Sequence, residues 1–513
     1  MAVRDIIQAD TVDQLIRDLA RLAPDRTALI FEGETASYGE LNQRANRAAH
    51  ALKGLGVCSG DRVVWLARNL GIFWDALLGA AKIGAVLTPV NWRLAPPEIA
   101  QIIKDSGAKI LIGERIFLDP LLAEAHFELP KAYDLETGGE KDFALLAGAA
   151  LDDEPEHSAE IDDIVVQLYT SGTTGLPKGV LLTHRNYRDS GAAGAELGIL
   201  LPQTDDETAL HALPHFHVAG VNFGLMAMAR MMPILQMRQF DPAEIVDAAQ
   251  GTAPLNSFFV PAMIMMILQT AKEKQRSLEK FAAVSYGAAP MPAALLDAAM
   301  TAMPNAQWTQ FYGATETTGA LTTLSHADHA GGMKQRASAG KPLPGCEIRV
   351  VNPETGQDAL AGEVGEILTR SGFVMQGYWK RPEATAACLK DNWYHTGDAG
   401  YTDEKGYLYV VDRIKDMIIS GGENIYPAEL ENILGAHPAI AEVAVVGAPD
   451  EKWGEIVKVI AVRRPGEALE EDDIFECLHG KIAAFKMPRI VEFIEALPRN
   501  PSGKVLKTKL RTG

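Results

Sequence analysis

Apolar residues recur at helical spacing early in the chain, at Val12, Leu15, Ile16, Leu19 and Leu22, and Pro24 closes the run. Ser37-Tyr38-Gly39-Glu40 has the form of a capping box. In that motif a Ser oxygen and a Glu carboxylate each accept the other's backbone N–H. Behind it Leu41, Ala45, Ala48, Leu52 and Leu55 form a second helical stripe, with Gly56 as a stop. Short continuous apolar runs alternate with the helices. Residues 62–66, 85–90 and 109–112 read as buried strands, and 76–83 and 99–104 as helices between them. Residues 113–160 are less regular, and 152–160 is acidic and reads as exposed. Ile164-Val165-Val166-Gln167-Leu168 is another buried strand, followed by a helix at 186–198 and Met-rich helices at 225–232 and 262–270. The methionines read first as adaptable core filler, and alternatively as the soft lining of an apolar cavity.

This alternation predicts an α/β fold: a large N-terminal domain, 1–412, of mixed, mostly parallel sheets with flanking helices. Composition shifts near 412. Beyond it, strands at 443–446 and 457–462 alternate with helices at 428–434 and 472–484, enough for a small α+β domain.

The chain has 513 residues, which is too long for one core. Its net charge of −19 argues against nucleic acid and anionic membrane surfaces as partners, though not against nucleotides. Cys58, Cys346, Cys388 and Cys477 are scattered, which predicts neither a metal cluster nor a disulfide framework. No secretion signal, bilayer-spanning run or peroxisomal tail is legible, so the cytoplasm is the expected compartment. A homodimer is compatible with the chain, but nothing in it specifies one.

The chemistry starts at Tyr169-Thr170-Ser171-Gly172-Thr173-Thr174-Gly175-Leu176-Pro177-Lys178-Gly179. Glycines turn backbone N–H groups toward oxygens, hydroxyls add donors, and a lysine adds charge. This loop suits polyphosphate. It is not the P-loop NTPase pattern, because Gly179 follows Lys178 where Ser or Thr would be needed. Gln310-Phe311-Tyr312-Gly313-Ala314-Thr315-Glu316-Thr317 comes next. An aromatic beside a glycine can flank a purine, Thr315 can reach a phosphate oxygen, and Glu316 can hold Mg²⁺. In Ser285-Tyr286-Gly287-Ala288-Ala289-Pro290, small side chains let a flat ring or chain lie against the backbone. Asp398, in Trp393-Tyr394-His395-Thr396-Gly397-Asp398, can accept ribose hydroxyls, and Arg413 can donate to the same ribose.

Together these strings, in this order, resemble the adenylate-forming superfamily, in its acyl-CoA synthetase branch. That resemblance implies ATP and Mg²⁺, a carboxylic acid as substrate, and coenzyme A as co-substrate. It places ATP or AMP at Thr170, Ser171, Gly172, Thr173, Thr174, Gly175, Lys178, Gly287, Ala288, Ala289, Gln310, Phe311, Tyr312, Gly313, Thr315, Asp398 and Arg413. It implies that Glu316 and Thr170 serve the metal through the ATP phosphates. Lys504, in Pro498-Arg499-Asn500-Pro501-Ser502-Gly503-Lys504, would reach the carboxylate and α-phosphate, where its charge stabilises the transition state. The acyl pocket would use His217, Val218, Gly220, Val221, Tyr286, Gly287, Gly313 and Ala314, with His217 preferred over His215 as its gate. Ser420-Gly421-Gly422-Glu423 would border the pantetheine tunnel. Residues 413–416 would be the hinge, centred on Lys415, of a mobile domain at 417–513.

Segments 215–221, 286–290 and 311–320 contain no Lys or Arg, which favours an apolar monocarboxylic acid such as a medium- or long-chain fatty acid. A flat aryl or cinnamic-type acid fits equally. The alternatives are a stand-alone enzyme that loads a carrier protein, a luciferase-type oxygenase and a non-catalytic binding protein. The last is disfavoured by the presence of Lys504, Glu316 and Asp398.

Overall fold

The computed structural model describes residues 9–511 apart from 125, 137, 157–158, 171–176, 200–201, 203, 354, 421–422, 451 and 500–504; at 415, 423 and 424 it describes the backbone only. The chain divides into two compact units. One comprises Met1–Glu347 and Thr369–Tyr394, the other Ile348–Leu368 and His395–Gly513.

The first unit contains two sheets. One runs, in spatial order, through Gly377–Tyr378, Lys178–Thr183, Ile164–Thr170, Val86–Pro89, Arg62–Leu66, Ile110–Gly113 and Lys131–Asp134. Its last five strands are parallel, and the first three are antiparallel. The parallel strands are covered on both faces, which explains their unbroken apolar runs: Val63 to Leu66 and Val86 to Pro89 are all buried. The second sheet has nine strands, with a parallel centre that includes Leu255–Phe259, Phe281–Gly287 and Gln307–Tyr312 and with antiparallel edges.

The helical stripes fold as their spacing predicts. Helix Val12–Leu22 buries Val12, Leu15, Ile16 and Leu19. The capping box forms at the start of helix Tyr38–Gly54, with Ser37 and Glu40 each accepting the other's backbone N–H. The segment that read as irregular carries the strand Lys131–Asp134 and the helices Arg115–Ala123 and Phe143–Gly148.

One expected helix is displaced. In place of 225–232, the helix is Val218–Ala229. Glycines at 220 and 224 hide its first half from propensity. Both are there for close packing: a Cβ on Gly220 would strike the Pro214 carbonyl oxygen, and one on Gly224 the Trp74 ring. Near the end of the chain, the helix expected over 472–484 spans Glu471–Leu478, and Gly480 follows with φ +71°.

In the second unit, residues 348–351, 365–368, 395–402 and 408–413 lie in one sheet. A second sheet joins Glu423–Ile425, Ile418–Ser420, Gly454–Arg463 and Ile440–Asp450, with Ile490–Ile494 parallel to Gly454–Arg463. Its core gathers Ile418, Ile425, Leu430, Leu434, Val445, Val457, Val459 and Leu478. All four cysteines are free thiols. Among the described residues no helix is long and apolar enough to cross a membrane.

Candidate nucleotide and acyl site

Strands Ile164–Thr170 and Lys178–Thr183 form a hairpin in which Thr170 pairs with Lys178 and Tyr169 with Gly179. The glycine-rich string runs between these two strands in the chain. Its Ser171, Gly172, Thr173, Thr174 and Gly175 lie outside the described residues. The short strand Gly377–Tyr378 pairs with the outer edge of the hairpin, Tyr378 opposite Val180, and Trp379 N–H donates to Gly179 O at 2.7 Å. This third strand carries a residue that the sequence motifs did not reveal. Tyr378 donates its hydroxyl to Glu316 Oε1 at 2.8 Å, and Lys178 Nζ lies 4.9 Å from the centre of the same ring. Burial, and then the negative charge of Glu316, push the Tyr378 hydroxyl far above its ordinary pKa, so it remains a donor.

Glu316 sits on the one-turn helix Thr315–Thr317, directly after strand Gln307–Tyr312. The turn is closed by Ala314 N–H donating to Thr317 Oγ1 at 2.9 Å, and Met375 N–H donates to Glu316 O at 2.8 Å. Among the described residues no cluster of three metal-ligating side chains exists. A single carboxylate fits Mg²⁺, which takes few protein ligands and completes its shell with phosphate and water oxygens.

The wall beside this turn is built from two parallel strands, with Gly287 opposite Phe311 and Tyr286 opposite Gln310. A Cβ on Gly287 would strike the Phe311 carbonyl oxygen. Ala288 follows with φ +64°, and Ala288 and Ala289 are exposed. The Tyr286 side chain goes the other way. It is fully buried, and its hydroxyl donates to His329 Nε2 at 3.0 Å, because His329 Nδ1 is turned to the Ser325 carbonyl at 2.7 Å.

The two histidines of His215-Phe216-His217 have different surroundings. His215 is buried and stacked on Phe73 with ring centres 3.7 Å apart, and neither ring nitrogen has a partner among the described residues. His217 caps helix Val218–Ala229 without a side-chain capping bond and is open to solvent, although protein crowds it on most sides. Burial holds its pKa down at about 4, with the charge of Arg93 adding to the effect. Arg93, which packs over the rings of Trp92 and Phe216, is thus a cation near His217 that the motif segments do not contain. The helix is tied to the Glu316 turn, since Asn222 Nδ2 donates to Thr318 O and Val218 packs near Gly319. Gly220 and Val221 are buried, and Gly313 is pressed against Ala320.

The methionines divide. Met228, Met231, Met232 and Met263 are core, and Met265 and Met266 are exposed. Met226 lines a cavity of about 330 Å³ where helices Val12–Leu22, His184–Glu196 and Val218–Ala229 meet.

The second unit holds its own group. Asp398 and Arg413 are register partners on neighbouring strands and form an ion pair, Nε to Oδ1 2.6 Å. Asp398 is 7% exposed. Its backbone N–H donates to Thr396 Oγ1 at 3.0 Å, and Thr396 Oγ1 donates to Ile367 O at 2.7 Å. Lys415 is in the one-turn helix Ile414–Asp416, whose Asp416 pairs with Arg511 at 3.3 Å. Ser420 pairs with Glu423 on neighbouring strands. Gly421, Gly422 and Lys504 lie outside the described residues.

A family model of AMP-binding enzymes matches residues 16–379, and one of the AMP-binding enzyme C-terminal domain matches 429–504. The chain belongs to this family of adenylate-forming enzymes. Within it, the chain falls in the acyl-CoA synthetase group of AMP-forming ligases. It is 39% identical over 506 residues to the fatty acid–[acyl-carrier-protein] ligase ScoC of Streptomyces coeruleorubidus, covering 98% of this chain and 96% of that one. It is 36% identical over 502 residues to a feruloyl-CoA synthase of an Amycolatopsis species, covering 96% of each. Among solved structures, o-succinylbenzoate CoA synthetase of Bacillus subtilis, in complex with its acyl-adenylate intermediate, has a TM-score of 0.86 at 31% identity, over 97% of this chain and 98% of that one.

Proposed function

We propose that this ligase activates an apolar monocarboxylic acid on MgATP and passes the acyl group to coenzyme A. The observation that carries the reading is the hairpin of Thr170 and Lys178, closed against the Glu316 turn by Tyr378. A carboxylate oxygen attacks the α-phosphate, acyl-AMP forms and pyrophosphate leaves. Bound Mg²⁺ neutralises phosphate charge. Glu316 and Thr170 would hold it through the phosphates, the hairpin and Lys178 would hold the leaving pyrophosphate, and Lys504 would supply positive charge to the transition state. Tyr312 would flank the adenine, with Asp398 and Arg413 on the ribose. The domains would be 1–412 and 417–513, with Lys415 in a hinge at 413–416. Rotation there would exchange Lys504 for the Gly421-Gly422 turn, where the thiol attacks acyl-AMP and AMP leaves. The cytoplasm remains the expected compartment.

A medium- or long-chain fatty acid is favoured by the neutral, accessible His217 and by the small residues Gly287, Ala288 and Ala289. The named substrates of the relatives span fatty, feruloyl and succinylbenzoyl groups, which keeps aryl acids in the same class. A second reading has one specific support, the 39% identity to a carrier-protein ligase: the thiol would then be a carrier's phosphopantetheine. A panel of aliphatic and aryl acids, scored for AMP release with CoA or with a holo-carrier protein, tests both. AMP release with fatty acids and CoA is expected. Turnover only with the carrier would replace CoA, and no acid-dependent AMP release would end the proposal.

A further inference from the structure

Tyr378 lies 62 residues from the carboxylate it touches and belongs to none of the motifs that point to nucleotide chemistry. Three contacts converge on it. Its hydroxyl binds Glu316 Oε1 at 2.8 Å, its ring carries Lys178 Nζ at 4.9 Å, and its backbone is fixed opposite Val180 on the phosphate hairpin. The Glu316 turn is bound to the same segment by the bond from Met375 N–H to Glu316 O. Side chain and backbone of Glu316 are therefore both held by residues 375–378.

We infer that Tyr378 is a positioning residue for the metal nucleotide: it holds one oxygen of Glu316 so that Oε2 faces the phosphates, and its ring face directs Lys178 toward the same phosphates. This rests on the proposed reading of Glu316 as the metal carboxylate. The physical basis is general. A carboxylate that serves a metal is oriented by a donor on its other oxygen, and loss of such a donor costs about 10- to 100-fold in metal affinity. A cation over an aromatic face within about 6 Å is attracted by the ring quadrupole, which gives a long lysine a preferred direction. Among the described residues no group of three or more metal-ligating side chains surrounds Glu316. The orientation of this one group thus matters more.

The test separates positioning from bulk stability. Tyr378→Phe keeps the ring and removes the hydroxyl. It is expected to raise the Mg²⁺ concentration for half-maximal ATP binding in equilibrium titration about tenfold, with kcat for acyl-AMP formation at saturating Mg²⁺ within about threefold of the parent. Glu316→Gln is measured beside it, and the double variant should need no more Mg²⁺ than Glu316→Gln alone. Tyr378→Leu removes the ring as well and should further raise KM for ATP. Glu316→Asp, which keeps the charge but withdraws it from the hydroxyl, should reproduce the Mg²⁺ shift and serves if Tyr378→Phe does not fold. An unchanged Mg²⁺ requirement in Tyr378→Phe, beside a raised one in Glu316→Gln, overturns the positioning role alone. An unchanged requirement in both overturns the reading of Glu316 and the inference with it.

Discussion

The two units hold the residues proposed for the nucleotide by different physics. In the first, backbone register does most of the work: Thr170 faces Lys178, Gly287 faces Phe311, and Tyr378 faces Val180. Close approach there demands small residues. In the second, Asp398 and Arg413 are also register partners, but a charge pair with one buried member fixes their side chains. The first group should therefore be sensitive to added volume, and the second to lost charge.

The largest expected effect contrasts the two half-reactions. Lys504→Ala should lower acyl-AMP formation about 10²- to 10³-fold, while thioester formation from supplied acyl-AMP stays within severalfold. Equal losses in both assays would remove the role given to this lysine.

The next prediction concerns acid. His211 is fully buried in the first unit, its Nε2–H donates to Gly220 O at 2.7 Å, and burial depresses its pKa to about 4. Unfolded histidine titrates near 6.5. The neutral form is the one the fold accepts, so its contribution is complete above pH 6.5 and is lost as pH falls toward 4. Across that window the loss amounts to about 3 kcal/mol. Denaturant midpoints measured from pH 7 to 4 should fall accordingly, and His211→Gln, which does not titrate, should flatten the slope. A slope that His211→Gln leaves intact would assign the acid sensitivity elsewhere.

Gly287→Ala tests the volume side of the comparison. The added methyl meets the Phe311 carbonyl, so a cost of about 1–3 kcal/mol is expected, read as a lower thermal midpoint of the first unit with a higher KM for ATP. A wild-type midpoint would show that the two strands can part without penalty. The smallest effect is on the charge side. Asp398→Asn should raise KM for ATP about tenfold and leave the thermal midpoint of the first unit where it was. A KM for ATP that does not move would take Asp398 off the ribose.

Much of this was legible because it is local. The stripe Val12 to Leu22 and the Ser37–Glu40 capping box need only near neighbours, and both form as read. The glycine-rich loop sits between two strands of one hairpin, so its place at a strand end followed from the apolar run before it. Helix Val218–Ala229 was misplaced because Gly220 and Gly224 lower propensity where packing needs them. Tyr378 and Arg93 were missed for a different reason. Sheet topology brings Tyr378 to Glu316 across 62 residues, Arg93 acts on His217 from a turn far away in the chain, and neither stands in a chemically biased string.

The amino-acid sequence by itself determined the family, the α/β alternation and the residue types that chemistry on a polyphosphate requires. These are properties of composition, period and short motifs. Only the tertiary structure decided that His215 is buried and stacked while His217 keeps solvent access, that Tyr286 turns to His329, and that Glu316 is held by Tyr378. The reason is physical: burial and side-chain partners depend on which strands become neighbours, and non-local contacts among packed elements settle that.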